Sequence, residues 1–258
     1  KQIYDLAVKM GSETDLRGAA SVAAHLKRTK EKYEKLSKEE KSMFDMERLS
    51  NPYADTRMLF GDGTTKVSRI MAGIDIDAAE ILIALQLSER GKKIDAMISH
   101  HPSGQGLAQL HEVMHMQAEI VSSYGIPINI AESLLELRIG EVARGVGAAN
   151  HFKTVDAARN LGIPYMCLHT VTDNLVARFL HDLIQTHKPE YVGDIMELFK
   201  TIPEYQEAEK RGAGPKIFSG NTERRVGKIA ITEITGGTEG SAKLYEAMSQ
   251  AGVGTILG

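Results

Sequence analysis

Ile94-Asp95-Ala96-Met97-Ile98-Ser99-His100-His101-Pro102 decides how the rest of this chain is read. The short apolar run from Ile94 to Ser99 predicts a buried strand, and it ends in two adjacent imidazoles. Pro102 bars smooth entry into a helix. Working outward, Val67 to Ile76 predicts a strand and Ala78 to Arg90 an amphipathic helix. On the other side, Leu107 to Tyr124 predicts a helix, and Gly125-Ile126-Pro127 leads into a strand over Ile128 to Ala131. Residues 132–144 and 153–162 read as helices, the second ending at Gly162. Ile163-Pro164 then introduces a strand over Tyr165 to His169. Short strands alternating with helices define an α/β fold whose mostly parallel sheet is covered by helices on both faces. In such sheets ligands bind at the carboxyl ends of the strands.

The flanks differ. Residues 1–49 read as helical, with Ile3, Leu6, Ala7 and Met10 at helical spacing and Gly11 as a C-cap. Residues 27–41 hold seven basic and four acidic side chains. They suit a solvated helical face or an oligomer arm better than a nucleic-acid stripe, because only one aromatic, Tyr33, interleaves. Asn51-Pro52 marks a boundary, followed by the loop Gly61-Asp62-Gly63. Residues 174–210 are mostly helical, and 211–215 is a linker. Then come a strand over Val226 to Ile231, the loop Gly236 to Ser241, a helix over Ala242 to Ala251 and a strand over Val253 to Leu257. The expected organisation is a helical N-terminal segment (1–55), a first α/β lobe with a helical insertion (56–210), and a second α/β lobe (211–258). That last lobe reads as incomplete at its C-terminus, since the chain stops at the strand edge where ligands bind.

The 258 residues hold 31 Lys+Arg against 34 Asp+Glu, a net charge of −3. This balance gives no global reason to expect a nucleic-acid or anionic-membrane partner. No stretch approaches the ~20 apolar residues of a membrane span. Nine histidines accompany one cysteine, Cys167. A single cysteine excludes an intramolecular disulfide framework and a four-cysteine zinc site, and suits a reducing cytoplasm. Any metal site is therefore built from nitrogen and oxygen.

Four constellations carry chemistry. At the turn beyond the 94–99 strand, His100 and His101 can both reach the rim, where two ions about 3.5–4 Å apart could each take one. The alternative is two polar loop residues bonded to backbone. Cys167-Leu168-His169-Thr170-Val171-Thr172-Asp173 ends a second strand at the same edge. Asp173 supplies an anionic ligand or N-caps the helix starting near Leu175, and His169 is a ligand or an outer donor. His111-Glu112-Val113-Met114-His115 matches the zinc-peptidase pattern, which puts two imidazoles on one helical face. Third ligands for it would be Glu132, Glu136 or His151, but the strand expected at 128–131 argues against that context. His111 and His115 otherwise support the strand-edge site. Finally, the Gly236 to Ser241 loop is either a phosphate cradle or a tight turn capped by Ser241. Asp75 and Asp77 are rim carboxylates or turn and cap residues.

Together these features resemble an outlying branch of the Nif-three-like dinuclear metal-centre family, the GTP cyclohydrolase I type 2 homologues. The likeness rests on His100-His101-Pro102, on His169-Thr170-Val171-Thr172-Asp173, and on the strand, glycine-rich loop, helix and strand of 226–258. It covers roughly residues 66–110, 160–176 and 225–258. The resemblance implies two divalent ions per subunit (Zn, Fe or Mn) ligated by His100, His101 and Asp173. It also implies a hexameric toroid with sites facing its interior. Family members complete the site with a His and a Glu beyond the strand matching 253–257; the resemblance therefore implies either further chain past Gly258 or a form that does not build the full site. The implied activity is metal-dependent hydrolysis of a small phosphorylated or nucleotide-like substrate, with His111 or His115 donating protons. The alternatives are a non-catalytic metal-binding scaffold or regulatory protein acting through its oligomeric surface, and a zinc metallopeptidase using His111, Glu112 and His115.

Overall fold

The computed structural model describes residues 1–258. The N-terminal part contains α1 (Gln2–Thr14), α2 (Ala19–Glu34), α3 (Lys38–Met43) and a 3-10 turn (Met46–Leu49). Next come β1 (Arg57–Phe60), β2 (Ile70–Gly73), α4 (Ala78–Glu89) and β3 (Ala96–Ser99). The middle holds α5 (Gly104–Ala108), α6 (Leu110–Val113), α7 (His115–Ser123), α8 (Ile128–Gly147), α9 (Lys153–Leu161), β4 (Tyr165–Cys167) and α10 (Thr170–His187). The remainder is α11 (Val192–Phe199), α12 (Pro203–Lys210), β5 (Lys228–Ile231), α13 (Ala242–Gln250) and β6 (Val253–Leu257).

The fold is mixed α/β, 55% helix, with parallel-rich sheets. The larger sheet has the order β1-β4-β3-β2. Its three strands β2, β3 and β4 are parallel, with Gly73 opposite Ser99 and Ser99 opposite Cys167, while β1 runs antiparallel to β4. Strand alternation divides the core between two faces. Met97 and Tyr165 pack with Ile81, Ala84, Val155 and Ala158 of α4 and α9. Met166 packs on the other face with Tyr4, Val8, Leu110 and Val171. The second sheet pairs β5 with β6 in parallel. It shares a core with α7, α8 and α13 through Ala118, Leu135, Ala230 and Leu244.

Three local expectations are corrected. Residues 128–131 open α8 and form no strand. Pro127 sits at its N-cap, Ile130 and Ala131 donate to the Pro127 carbonyl, and burial recurs at Ala131, Leu135 and Ile139, a helical period. The alternation Ile128-Asn129-Ile130 before Ala131 misled because Ile128 and Ile130 are exposed. Gly11 does not cap α1, which runs on to Thr14. It is instead the point of closest approach to α10, where a Cβ would lie 2.7 Å from Val171 Cα. The helix expected over 107–124 is interrupted twice, and at its second break Gln117 N–H bonds the Met114 carbonyl in 3-10 fashion.

Candidate metal centre

The site grows from the register of the sheet. Because β2, β3 and β4 are parallel and aligned, the residues that follow them meet at one edge. His100 and His101 follow β3, and their N–H groups donate to the carbonyls of Gly73, at the end of β2, and Ile74, just past it, which pins the turn. His169 lies just beyond β4 and is the N-cap residue of α10. The antiparallel β1 starts at this same edge, so Asp55, two residues before Arg57, arrives there too.

Three imidazoles gather. Ring centroids lie 4.7 Å apart for His100 and His169, 5.2 Å for His100 and His101, and 5.9 Å for His101 and His169. One ligating nitrogen from each falls within 4.8 Å of the others. Each Nδ1 is held from outside: His100 by Thr172 Oγ1 at 3.0 Å, His101 by Asp75 Oδ1 at 2.7 Å, and His169 by Asp55 Oδ2 at 2.8 Å. The Thr172 hydroxyl spends its proton on the Leu168 and His169 carbonyls, so it accepts from His100 Nδ1–H. Every ring therefore has Nδ1 as its donor and Nε2 free, the arrangement by which outer carboxylates and hydroxyls orient metal-ligating histidines. Asp173, in the first turn of α10, places Oδ1 3.4 Å from His100 Nε2 and Oδ2 3.9 Å from His169 Nε2.

Electrostatics follow from burial. Desolvation, with His169 and His101 close by, pushes His100 down to about 4, so its Nε2 lone pair is available at neutral pH. Desolvation pushes the Asp173 carboxyl up to about 7, against the pull of His169. Burial opposes charge on His169 as well, but the hydrogen bond and charge of Asp55 outweigh it and raise the imidazole. Three imidazole nitrogens and a carboxylate oxygen form a donor set suited to a borderline divalent ion such as Zn or Fe.

The other sequence-predicted residues lie elsewhere. His111 places Nε2 3.5 Å from its own neighbour Glu112 and leaves Nδ1 buried without a partner. His115 is exposed and, with Glu112, Glu132 and Glu136, lines a groove of about 1200 Å³ between α2 and the α7–α8 pair. The expected strand that argued against a peptidase is absent, but the peptidase ligands do not converge. His151 bonds the Val146 carbonyl, and the metal-competent cluster is the one at the sheet edge. Asp173 is no N-cap, since it lies inside α10. Asp77 caps α4 and also holds Lys153 and Thr154. The glycine-rich loop cradles no ligand space: Gln117 donates to the Thr235 and Thr238 carbonyls, and a Cβ on Gly236 would lie 2.5 Å from Gln117 Cγ. Sequence reasoning missed Asp55. Its only signal was a polar residue just before a strand, and β1 itself went unrecognised.

No family model and no curated protein matches the chain. Among solved structures it is similar to a NIF3 superfamily protein from Sphaerobacter thermophilus, with 28% identity, a TM-score of 0.69, and 79% of this chain and 72% of that one covered. Fold and cluster together define an α/β protein with a histidine-rich, metal-competent site at the carboxyl edge of its parallel strands. Within that class the likeness in fold and sequence supports a Nif3-like family.

Proposed function

We propose that the chain is a metal-dependent hydrolase acting on small phosphorylated or nucleotide-like molecules, holding divalent ions through His100, His101, His169 and Asp173. The observation that carries this reading is the common orientation of three imidazoles, each with Nδ1 occupied and Nε2 free. A divalent ion bound there supplies a Lewis acid and an activated water. Thr172, Asp75 and Asp55 orient the rings, and Asp173 contributes the anionic oxygen. Donor atoms spread over 4.8 Å leave room for one ion or for a pair, and the resemblance favours the pair.

The same reading includes a cytoplasmic homo-oligomer, hexameric by resemblance. Ile70 and Ile74 beside the open edge of β2, with Leu82 and Ile83 on α4, are exposed apolar side chains that support contact between copies.

The test combines metal analysis of the full chain with turnover of nucleotides and phosphoesters. Bound metal that is lost in a His100→Ala/His101→Ala variant, with turnover lost in Asp173→Asn, is the expected result. Metal at background in the wild type, unchanged in the double variant, contradicts it. Bound metal with no turnover on any of these substrates favours the non-catalytic scaffold instead.

A further inference from the structure

Between the N-terminal helices and the sheet runs a seven-residue strut, Asn51 to Arg57, buried at every position except Pro52. Both of its ends are tied to the N-terminal segment. Asn51 closes the strut on itself, donating from Nδ2 to the Tyr53 and Thr56 carbonyls at 3.0 and 2.8 Å and to Tyr4 Oη of α1 at 2.9 Å. Tyr53 Oη donates to Asp15 Oδ2 at 2.9 Å and accepts from Asn174 Nδ2 of α10 at 3.1 Å. Arg57 bonds the Ala54 carbonyl at 3.0 Å and pairs with Asp45 Oδ2 at 2.7 Å and Glu47 Oε2 at 3.3 Å, beside and within the 3-10 turn.

At the centre of this strut stands Asp55, fully buried. One of its oxygens takes both the His169 Nδ1 contact at 2.8 Å and the Thr170 hydroxyl at 2.7 Å. Its backbone carbonyl is fixed in turn by Cys167 Sγ at 3.3 Å. A buried carboxylate with these partners has no water to turn to, so its position dictates the orientation of the His169 ring.

We infer that the strut is a positioning element of the metal site: the way α1 and the 3-10 turn hold residues 51–57 sets His169 through Asp55. Metal affinity then depends on residues that touch no ligand. This rests on the reading that His169, His100 and His101 hold a divalent ion. It gives the N-terminal segment a role that the sheet-edge motifs do not reveal. Arg28 and Lys32 of α2 line a groove beside Asn51 and Ala54 but make no hydrogen bond or ion pair with the strut.

The experiment measures zinc affinity of the full chain by chelator competition, together with the ¹⁵N shift of His169 Nδ1 in the metal-free protein. Asp55→Asn is expected to bind zinc about 10–100-fold more weakly, the usual effect of losing an outer-sphere partner. Asn51→Ala and Tyr53→Phe are each expected to weaken binding and to shift the His169 resonance. Adding Asn51→Ala to Asp55→Asn should cost nothing more, because the first acts through the second. Arg28→Ala should leave both readouts unchanged. Wild-type affinity and an unmoved His169 resonance in Asn51→Ala and Tyr53→Phe overturn the inference, as do losses that simply add in the double variant. If Asp55→Asn does not fold, those two variants decide alone. If the wild type binds no zinc, the metal reading falls, and the metal-free His169 shift still decides whether the strut positions the ring.

Discussion

Arg57 is a guanidinium almost out of contact with water, and its charge is met by two carboxylates from the N-terminal segment. Removing one partner of a buried pair leaves the other side uncompensated. Arg57→Ala is therefore expected to destabilise the fold by about 3 kcal/mol or more, read as a lower denaturation midpoint at unchanged slope. A loss below about 1 kcal/mol, the range of an exposed pair, would show that Asp45 and Glu47 are served equally well by solvent. Cys167 is buried as well, and burial drives its thiol up to about 12. A thiol-reactive dye at mild alkaline pH should label the native chain negligibly and label one equivalent after denaturation. Rapid labelling of the native protein would contradict the burial. The sheet-edge histidines were legible in the sequence because two imidazoles directly after an apolar strand have few other uses. Asp55 was not legible, since nothing local distinguishes a carboxylate that orients a ring 114 residues away.

Asp77 shows what a single cap contributes to an element. Its side chain accepts the Ala78 N–H, the Glu80 carboxylate accepts the Asp77 N–H, and Lys153 and Thr154 of α9 donate to the Asp77 carboxylate. Those partners, Lys153 first, hold its carboxyl below the usual range. A depressed folded pKa means stabilisation that is present above the ordinary aspartate value of about 3.9 and lost as pH falls through the folded one. Asp77→Ala should thus cost about 1 kcal/mol at pH 7, with the gap to wild type closing in strongly acidic melts. A gap that persists or widens in acid would contradict this. In the loop after β5, Gly236 has a φ of +91° and faces Gln117 too closely for a side chain. Gly236→Ala is expected to cost about 1–3 kcal/mol in denaturant titrations. The β–α alternation was readable from apolar runs bounded by glycine and proline. The start of α8 was not, because Ile-x-Ile after a proline suits a strand as well as an exposed first turn, and only the later period of Ala131, Leu135 and Ile139 decides it.

Across the whole molecule, α7 and α8 pack against the small sheet while α1 and α10 pack tightly against each other beside the large one. Asn174 and Thr235, joined at 2.5 Å, connect the site helix to the glycine-rich loop, so that loop serves packing. The exposed apolar side chains of β2 and α4 belong to this scale too. Leu82→Glu with Ile83→Glu should lower the oligomer mass measured by light scattering, and an unchanged mass would remove that face from any interface. Long-range pairings of this kind leave little trace in local pattern, which is why the parallel core was legible and its links to the N-terminal segment were not. The central claim is that three imidazoles present Nε2 to a divalent ion while their Nδ1–H groups point outward. Cobalt(II) loading followed by proton NMR tests it most directly. The account predicts strongly shifted, solvent-exchangeable Nδ1–H resonances from His100, His101 and His169, each removed by the matching histidine-to-alanine substitution. No shifted resonances, or shifted ones that survive all three substitutions, would contradict it.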